Sequence, residues 1–187
     1  MVRSNREKRL AELSTLQKAS LFNQVYPLQK VDYAREVTEA SNSAYVLVNL
    51  TSMGGNVESR VLTELWRQLA AKFGDIKFCE IRADMCIEGY PEKNTPTILV
   101  YKDTEIKRQL ITLQQLKGPR TKVEGTILES AIIGEEIYTY ESVDIERLLV
   151  DLGALKEGDV RLKKRDDEED YKKDDDLNVE DYDDDWD

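Results

Sequence analysis

The chain has 187 residues, of which 35% are charged and 40% hydrophobic, and its formal net charge is −11. This length favours one domain with a hydrophobic core plus extensions over two ordinary domains. The acidity is concentrated between Asp166 and Asp187, where fourteen acidic residues stand against two lysines. The rest of the chain is therefore nearly neutral.

The chain has two cysteines, Cys79 and Cys86, and no histidine. These counts exclude a disulfide framework, a Cys/His zinc site, a His-based nucleophilic triad and a His acid–base pair. No apolar run approaches the roughly 18 residues of a membrane-spanning helix, and the N-terminus lacks the apolar core of a signal peptide. The sequence therefore predicts a cytoplasmic protein with no metal, cofactor, membrane or nucleic-acid partner.

Apolar patterning predicts alternating helices and strands. A helix with a thin apolar stripe is predicted at 3–21; it is either a solvated helix leaning on the domain or the end of a partner-binding arm. Because the chain begins abruptly in this charged helix, we expect it to be part of a longer protein. The apolar run at 44–50 predicts a strand buried on both faces of a sheet. Apolar residues at helical spacing predict an amphipathic helix at 58–73.

The remaining predicted elements are an edge strand at 25–27, a helix at 31–40, strands at 76–81, 97–101 and 106–111, a closing helix at 123–133 and a short helix at 143–152. A turn joins the last two strands as a hairpin, although Thr104 stands where glycine is usual. The alternation of strands and helices predicts parallel strands in the first part of the sheet.

This α/β order resembles thioredoxin, a mixed sheet flanked by helices. Thr95-Pro96-Thr97 enters the fourth strand as the thioredoxin cis-proline does, so we expect a cis bond, against a base rate of about 5% for X–Pro bonds. The resulting divisions are an N-terminal helical arm at 1–21, a thioredoxin-like domain at 22–135, a short helix with a charged linker at 136–165 and a disordered acidic tail at 166–187.

The redox chemistry of thioredoxins requires a thiolate at a helix N-terminus and a second thiol three residues on. The matching loop, residues 53–59, contains no cysteine. We call it the vestigial loop. Asn49 stands where thioredoxins have a buried aspartate, and an amide cannot titrate. We interpret Cys79 and Cys86 as reduced, small hydrophobic residues. The sequence therefore predicts that the domain is not an enzyme.

The string from Cys86 to Thr97, with the spacing Cys-Ile-x-x-Tyr-Pro-x-x-Asn-x-Pro-Thr, resembles the phosducin-like proteins, and most of all the phosducin-like protein 2 branch with its fungal Plp members. The resemblance runs from about residue 6 to residue 152. In the vestigial loop, residues 54–58 replace the Gly-Ile-Pro-Leu-Cys that family members often carry, which puts cysteine-based regulation there in doubt. The family's long acidic helical arm does not precede the domain in this sequence, so its contacts are not carried over.

The resemblance implies a monomeric co-chaperone that binds the cytosolic chaperonin TRiC/CCT and assists the folding of actin, tubulin or related clients. Two alternatives stay open: a regulator that binds G-protein βγ subunits, and a weak thiol oxidoreductase that uses Cys86. Two loops are either protein-binding surfaces or merely solvated. Their candidate protein-binding residues are Met53, Gly54, Gly55, Asn56, Val57, Glu58, Tyr90, Pro91, Asn94, Thr95 and Pro96.

The end of the acidic tail is a second candidate contact. It consists of Asp183, Asp184, Asp185, Trp186 and Asp187. Such a run is either a disordered solubilising end or an electrostatic arm that binds a basic surface through its carboxylates, with the aromatic side chain as an anchor.

Overall fold

The computed structural model describes residues 2–116, 130–133, 136–139 and 142–162. The helices are α1 (Val2–Ala19), α2 (Val57–Lys72), α3 (Ala83–Cys86) and α4 (Ser142–Asp151). The strands are β1 (Val25–Pro27), β2 (Val46–Thr51), β3 (Lys77–Arg82), β4 (Thr97–Lys102), β5 (Glu105–Ile111), β6 (Ser130–Ile133) and β7 (Glu136–Thr139). The acidic tail and most of the expected closing helix lie outside the described residues.

Five strands form one mixed sheet in the order β1-β3-β2-β4-β5. β3 runs parallel to β1 and β2, whereas β4 runs antiparallel to β2 and β5. The peptide bond between Thr95 and Pro96, at the entrance to β4, is cis. Both the thioredoxin-like arrangement and the cis-proline expected from the sequence are therefore confirmed.

The side chains of β2 alternate between two hydrophobic cores, one on each face of the sheet. Leu47 belongs to the core beneath α2, together with Trp66, whereas Val48 and Leu50 belong to the core on the opposite face. Trp66 is fully buried and meets the ring of Phe78 edge-on, with 5.1 Å between the ring centroids. Each such side chain contributes about 1.5–3 kcal/mol by leaving water, so this sheet is a stable base for the loops at its end.

The helix expected at 31–40 is irregular. It consists of a 3₁₀ turn, a π-helical stretch and a second 3₁₀ turn, at Lys30–Asp32, Ala34–Glu39 and Ala40–Asn42. The Nζ of Lys77, a residue only 5% exposed, donates to the Glu36 carboxylate at 2.7 Å and to the Glu36 carbonyl at 2.9 Å. Because these bonds join the segment to β3, tertiary contacts outweigh the regular helical ladder here.

The hairpin between β4 and β5 turns at Asp103 and Thr104, whose φ angles are 52° and 64°. Two consecutive positive φ angles are the geometry of a type I′ turn, which usually contains glycine. Ser41 holds this turn: its carbonyl accepts the N–H of Asp103 at 2.9 Å and its hydroxyl accepts the N–H of Thr104 at 2.8 Å. These bonds offset the cost of the left-handed conformation, about 1–2 kcal/mol per residue.

The closing helix expected at 123–133 is wrong where the structure describes it. Residues 130–133 form β6, which pairs antiparallel with β7 over 136–139. The two segments are rich in isoleucine, threonine and tyrosine, which favour strands. Over so few residues, periodicity alone cannot distinguish a helix from a short apolar strand.

The prediction of a charged linker after α4 is also wrong for the residues up to Leu162. Gly153, two residues after the end of α4, has a φ of +71°, and the chain then turns back so that Leu155 is only 4% exposed. Arg161 makes ion pairs with Asp75 and Asp159. This stretch is therefore packed on the domain.

The side chains described in the middle of α1 are exposed. Leu10 is 57% exposed and Leu13 is 38% exposed. Leu16, further along the helix, is half-buried, and both interpretations of the arm stay open.

Candidate functional site

The vestigial loop leads directly into α2, and its geometry begins with Asn56. The Asn56 side-chain oxygen accepts the N–H of Ser59 at 2.8 Å, which makes Asn56 the N-cap of α2. Asparagine is among the best residues at this position because it satisfies a backbone donor that the helix leaves free. The Asn56 N–H donates in turn to the Ser52 hydroxyl at 3.0 Å. The loop is therefore fixed at the helix N-terminus, where a thioredoxin would carry its reactive thiol.

A carboxylate from the opposite segment binds this loop. Glu92 accepts hydrogen bonds from the Ser52 hydroxyl and from the backbone N–H groups of Met53 and Gly54, the last two at 3.2 Å. These bonds, the one from Ser52 above all, hold the pKa of Glu92 below its ordinary value. The carboxylate thus satisfies backbone donors of the loop that precedes α2.

Sequence reasoning missed Glu92, although Tyr90, Pro91 and Asn94 on either side of it were candidates. The signal that could have identified it is its acidic side chain. An acidic residue in a segment expected to face a helix N-terminus is a natural partner for the free N–H groups there.

The loop and the cis-proline segment are joined a second time. The Asn56 amide nitrogen donates to the carbonyl and to the hydroxyl of Thr95, both at 3.0 Å. The expected adjacency of the two segments is therefore present in the structure. Thr95 and Pro96 are buried, so their place is beneath the surface and not on it.

The candidates that reach solvent form a small apolar surface. Met53 is 63% exposed and Val57 is 37% exposed, and Gly54, Gly55 and Pro91 are exposed as well. Glu58 is half-buried, and its carboxylate accepts the N–H of Leu113 at 2.8 Å. We define residues 53–57 together with Tyr90 and Pro91 as the loop surface.

Asn49 lies beneath this end of the sheet, fully buried on β2. Its amide nitrogen donates to the Glu80 carboxylate at 3.4 Å, and the same carboxylate oxygen accepts the Thr63 hydroxyl at 3.1 Å. The side-chain oxygen of Asn49 has no hydrogen-bond partner among the described residues. An amide neither takes up nor releases a proton, so Asn49 cannot serve as the proton carrier of a thioredoxin.

Neither cysteine lies at the N-terminus of α2. Cys79 is fully buried in β3, and burial raises the pKa of its thiol to about 12. Cys86 is the last residue of α3 and half-buried, and burial raises the pKa of its thiol too. Both thiols are free. Because thiolates carry out disulfide exchange, raised pKa values are the reverse of what that chemistry needs.

The described residues contain neither a membrane-spanning helix nor a metal-binding cluster. None of the helices in these ranges has the length and apolarity needed to cross a bilayer. In the same part of the chain, no three His, Cys, Asp or Glu side chains come together in a group that could hold a metal ion.

No family model matches the chain, but several curated proteins do. Phosducin-like protein 2 of Saccharomyces cerevisiae is 37% identical over 181 residues, which cover 87% of this chain and 56% of that protein. Phosducin-like protein C2A9.09 of Schizosaccharomyces pombe is 32% identical over 155 residues, which cover 83% of this chain and 58% of that protein. The chain thus spans little more than half the length of these relatives.

Solved structures with a similar backbone include thioredoxin f from spinach chloroplast, with a TM-score of 0.44 and 12% identity over 53% of this chain and 84% of that one. Thioredoxin f2 in complex with ferredoxin:thioredoxin reductase has a TM-score of 0.41 and 16% identity over 48% of this chain and 84% of that one. From the sequence matches, the chain is over most of its length a homologue of the phosducin-like proteins.

Proposed function

We propose that the chain is a non-catalytic, cytoplasmic co-chaperone that binds the cytosolic chaperonin TRiC/CCT and assists the folding of actin or tubulin. The observation that carries the proposal is the Glu92 carboxylate bound to the loop that precedes α2. It binds the backbone donors of the loop that would hold a reactive thiol in an enzyme of this fold. The choice of chaperonin as partner rests on the homology to phosducin-like proteins.

The loop surface has the properties of a docking site. Glu92 and Asn56 hold its backbone from two sides, so little conformational entropy is lost when a partner binds. Met53, which is 63% exposed, is an adaptable apolar side chain of the kind that protein-binding surfaces often use. A rigid backbone that presents an exposed methionine favours recognition over chemistry.

The acidic tail is a second contact in this proposal. It lies outside the described residues, and its fourteen acidic side chains would attract a basic surface on the chaperonin. Such attraction between exposed charges weakens as salt shortens the Debye length, from about 10 Å at 0.1 M to about 3 Å at 1 M. Binding that depends on the tail should therefore weaken as the salt concentration rises.

Titration of the purified chain against purified TRiC/CCT tests the proposal. We expect Met53→Glu to weaken binding about tenfold, because a charge replaces an exposed apolar side chain of the loop surface. Met85→Glu is the matched control, since Met85 is 61% exposed and lies in α3. It should leave the affinity unchanged.

Absence of binding by the unaltered chain would overturn the co-chaperone proposal. Binding that both variants leave unchanged would overturn the loop surface as its site. Binding to purified G-protein βγ subunits in place of the chaperonin would favour the regulator over the co-chaperone.

A further inference from the structure

A pocket of about 410 Å³ opens on the sheet face opposite α2. Its floor and walls are mainly apolar and aromatic and include Leu50, Leu99, Tyr33, Tyr90 and Tyr101. The Tyr33 and Tyr101 hydroxyls bond to each other at 3.1 Å, which leaves their ring faces as wall. The volume lies within the ~300–1,000 Å³ of pockets that hold one compact ligand group.

Two local features leave this face uncovered. α3, the only α-helix described between β3 and β4, has just four residues. A β-bulge between β4 and β5 pairs Val100 with Arg108 and Tyr101 with Ile106, so that one extra residue lies between the partners on β5. A bulge shifts the alternation of side chains, and for this reason Ile106 and Gln109 both line the pocket. Ile106 remains 51% exposed.

Lys30 is the one charged residue among those that line the pocket. It makes no ion pair with any residue in the described part of the chain. An unpaired ammonium beside an apolar pocket complements a ligand in which an aromatic group stands next to carboxylates.

We propose that this pocket binds the end of the chain's own tail, with the Trp186 ring in the pocket and the carboxylates of Asp185 and Asp187 at Lys30. The sequence Asp185-Trp186-Asp187 has the chemistry that the pocket complements. The described fold ends at Leu162, and the 24 residues from Lys163 to Trp186 can span up to roughly 80 Å. Tethering also gives the tail an effective concentration of about millimolar order, so even a weak contact is populated.

The thiol of Cys86 provides a test in the intact 187-residue chain. Cys86 lines the pocket, so an occupied pocket shields it from a maleimide. Cys79 does not interfere, because it is fully buried and its thiol has a pKa of about 12. We expect Trp186→Ala to increase the rate of Cys86 modification by at least about threefold, which corresponds to a tail bound roughly two thirds of the time. Tyr171→Ala, the matched control for an aromatic residue elsewhere in the tail, should not change the rate.

Charge reversal tests the second half of the contact. The ratio to measure is the rate of Cys86 modification with Trp186→Ala divided by the rate without it. When both proteins also carry Lys30→Glu, this ratio should fall to about one, since the tail no longer binds. Use of the ratio cancels the direct effect of Lys30 on the pKa of the Cys86 thiol. Lys156→Glu reverses a charge at an exposed site after α4 and should leave the ratio as in the unaltered chain.

Two results would overturn the proposal. One is a rate of Cys86 modification that Trp186→Ala leaves unchanged. The other is protection that increases with protein concentration, because the occupant would then be the tail of a second copy. Neither measurement involves a chaperonin, so the result is independent of the proposed function.

Discussion

The Glu92 carboxylate accepts the backbone N–H of Met53 at 3.2 Å, across the gap between the α2 N-terminus and the cis-proline segment. The same carboxylate binds Gly54 and Ser52. A single acidic side chain thus joins the two segments that were predicted from the sequence to form one surface.

We predict that Glu92→Gln lowers the free energy of unfolding at neutral pH, because an amide offers one acceptor oxygen and its NH₂ group faces donors. The pKa of Glu92 in the folded protein lies below its ordinary value, about 4.3 in an unfolded chain. The stabilisation is therefore complete above pH ~4.3 and is lost as the pH falls through the lower, folded-state pKa.

Urea unfolding at about pH 7 and about pH 3 measures this difference. The gap between the unaltered chain and Glu92→Gln should narrow at the lower pH. Glu88→Gln, at an exposed site, is the control. A gap that is equal at both values would show that the carboxylate charge does not hold the loop.

Asn49→Asp tests the buried amide in the same way. It should destabilise the fold by about 2–4 kcal/mol at neutral pH, since it places a charge in a buried site beside the Glu80 carboxylate. Burial and this neighbouring charge should raise the pKa of the new carboxyl. The loss in the free energy of unfolding caused by Asn49→Asp should therefore grow as the pH rises above about 3.9, the pKa of an aspartate in an unfolded chain.

Urea unfolding between about pH 4 and pH 7 measures the trend. Asn49→Leu has a similar shape without charge, and we expect it to be tolerated better than Asn49→Asp at neutral pH. An Asn49→Asp protein that is as stable as the unaltered chain at neutral pH would refute this account.

Much of the sheet could be predicted from the sequence, because its strands are short, apolar and bounded by clear turns. β2, β4 and the cis peptide before Pro96 are examples, and the two segments of the loop surface were nominated together. Long-range partners could not be predicted. Glu92 acts through donors on a segment about forty residues away, and the ion pair of Arg161 with Asp75 connects distant parts of the chain. The hairpin of β6 and β7 was missed because short isoleucine-rich segments fit both periodicities.

The thiols should be slow to react. Burial raises the pKa of Cys86 above its ordinary value and that of Cys79 to about 12. At neutral pH both are therefore almost entirely protonated, and the rate of Cys86 alkylation should keep rising as the pH passes about 8.5, the ordinary thiol pKa. Cys79 should react only on unfolding.

Mass spectrometry of the alkylated chain at several pH values separates the two sites. Insulin reduction should show no activity above background, in the unaltered chain and in Cys86→Ser alike. Activity that Cys86→Ser abolishes would establish the thiol oxidoreductase in place of the binding protein.

The segment after α4 gives the last prediction. The Arg161 side chain is 11% exposed, and it donates to Asp159 at 2.7 Å and 3.0 Å and to Asp75 at 3.1 Å. Its guanidinium also lies 5.0 Å from the centroid of the Phe73 ring. Arg161→Ala leaves two carboxylates without their partner, so we expect a loss of about 2–4 kcal/mol in the free energy of unfolding.

Arg67→Ala is the matched control, because Arg67 forms an exposed i,i+3 pair with Glu64 that is worth at most about 1 kcal/mol. Urea unfolding of both variants gives the comparison, and hydrogen exchange should show faster exchange of the Leu155 amide in Arg161→Ala alone. Because a mere linker would unfold at no cost, equal stability of the two variants would mean that the stretch up to Leu162 is not docked on the domain. The larger loss for Arg161 follows from its burial and from its second acidic partner, since the Arg161 side chain is 11% exposed and that of Arg67 is 64% exposed.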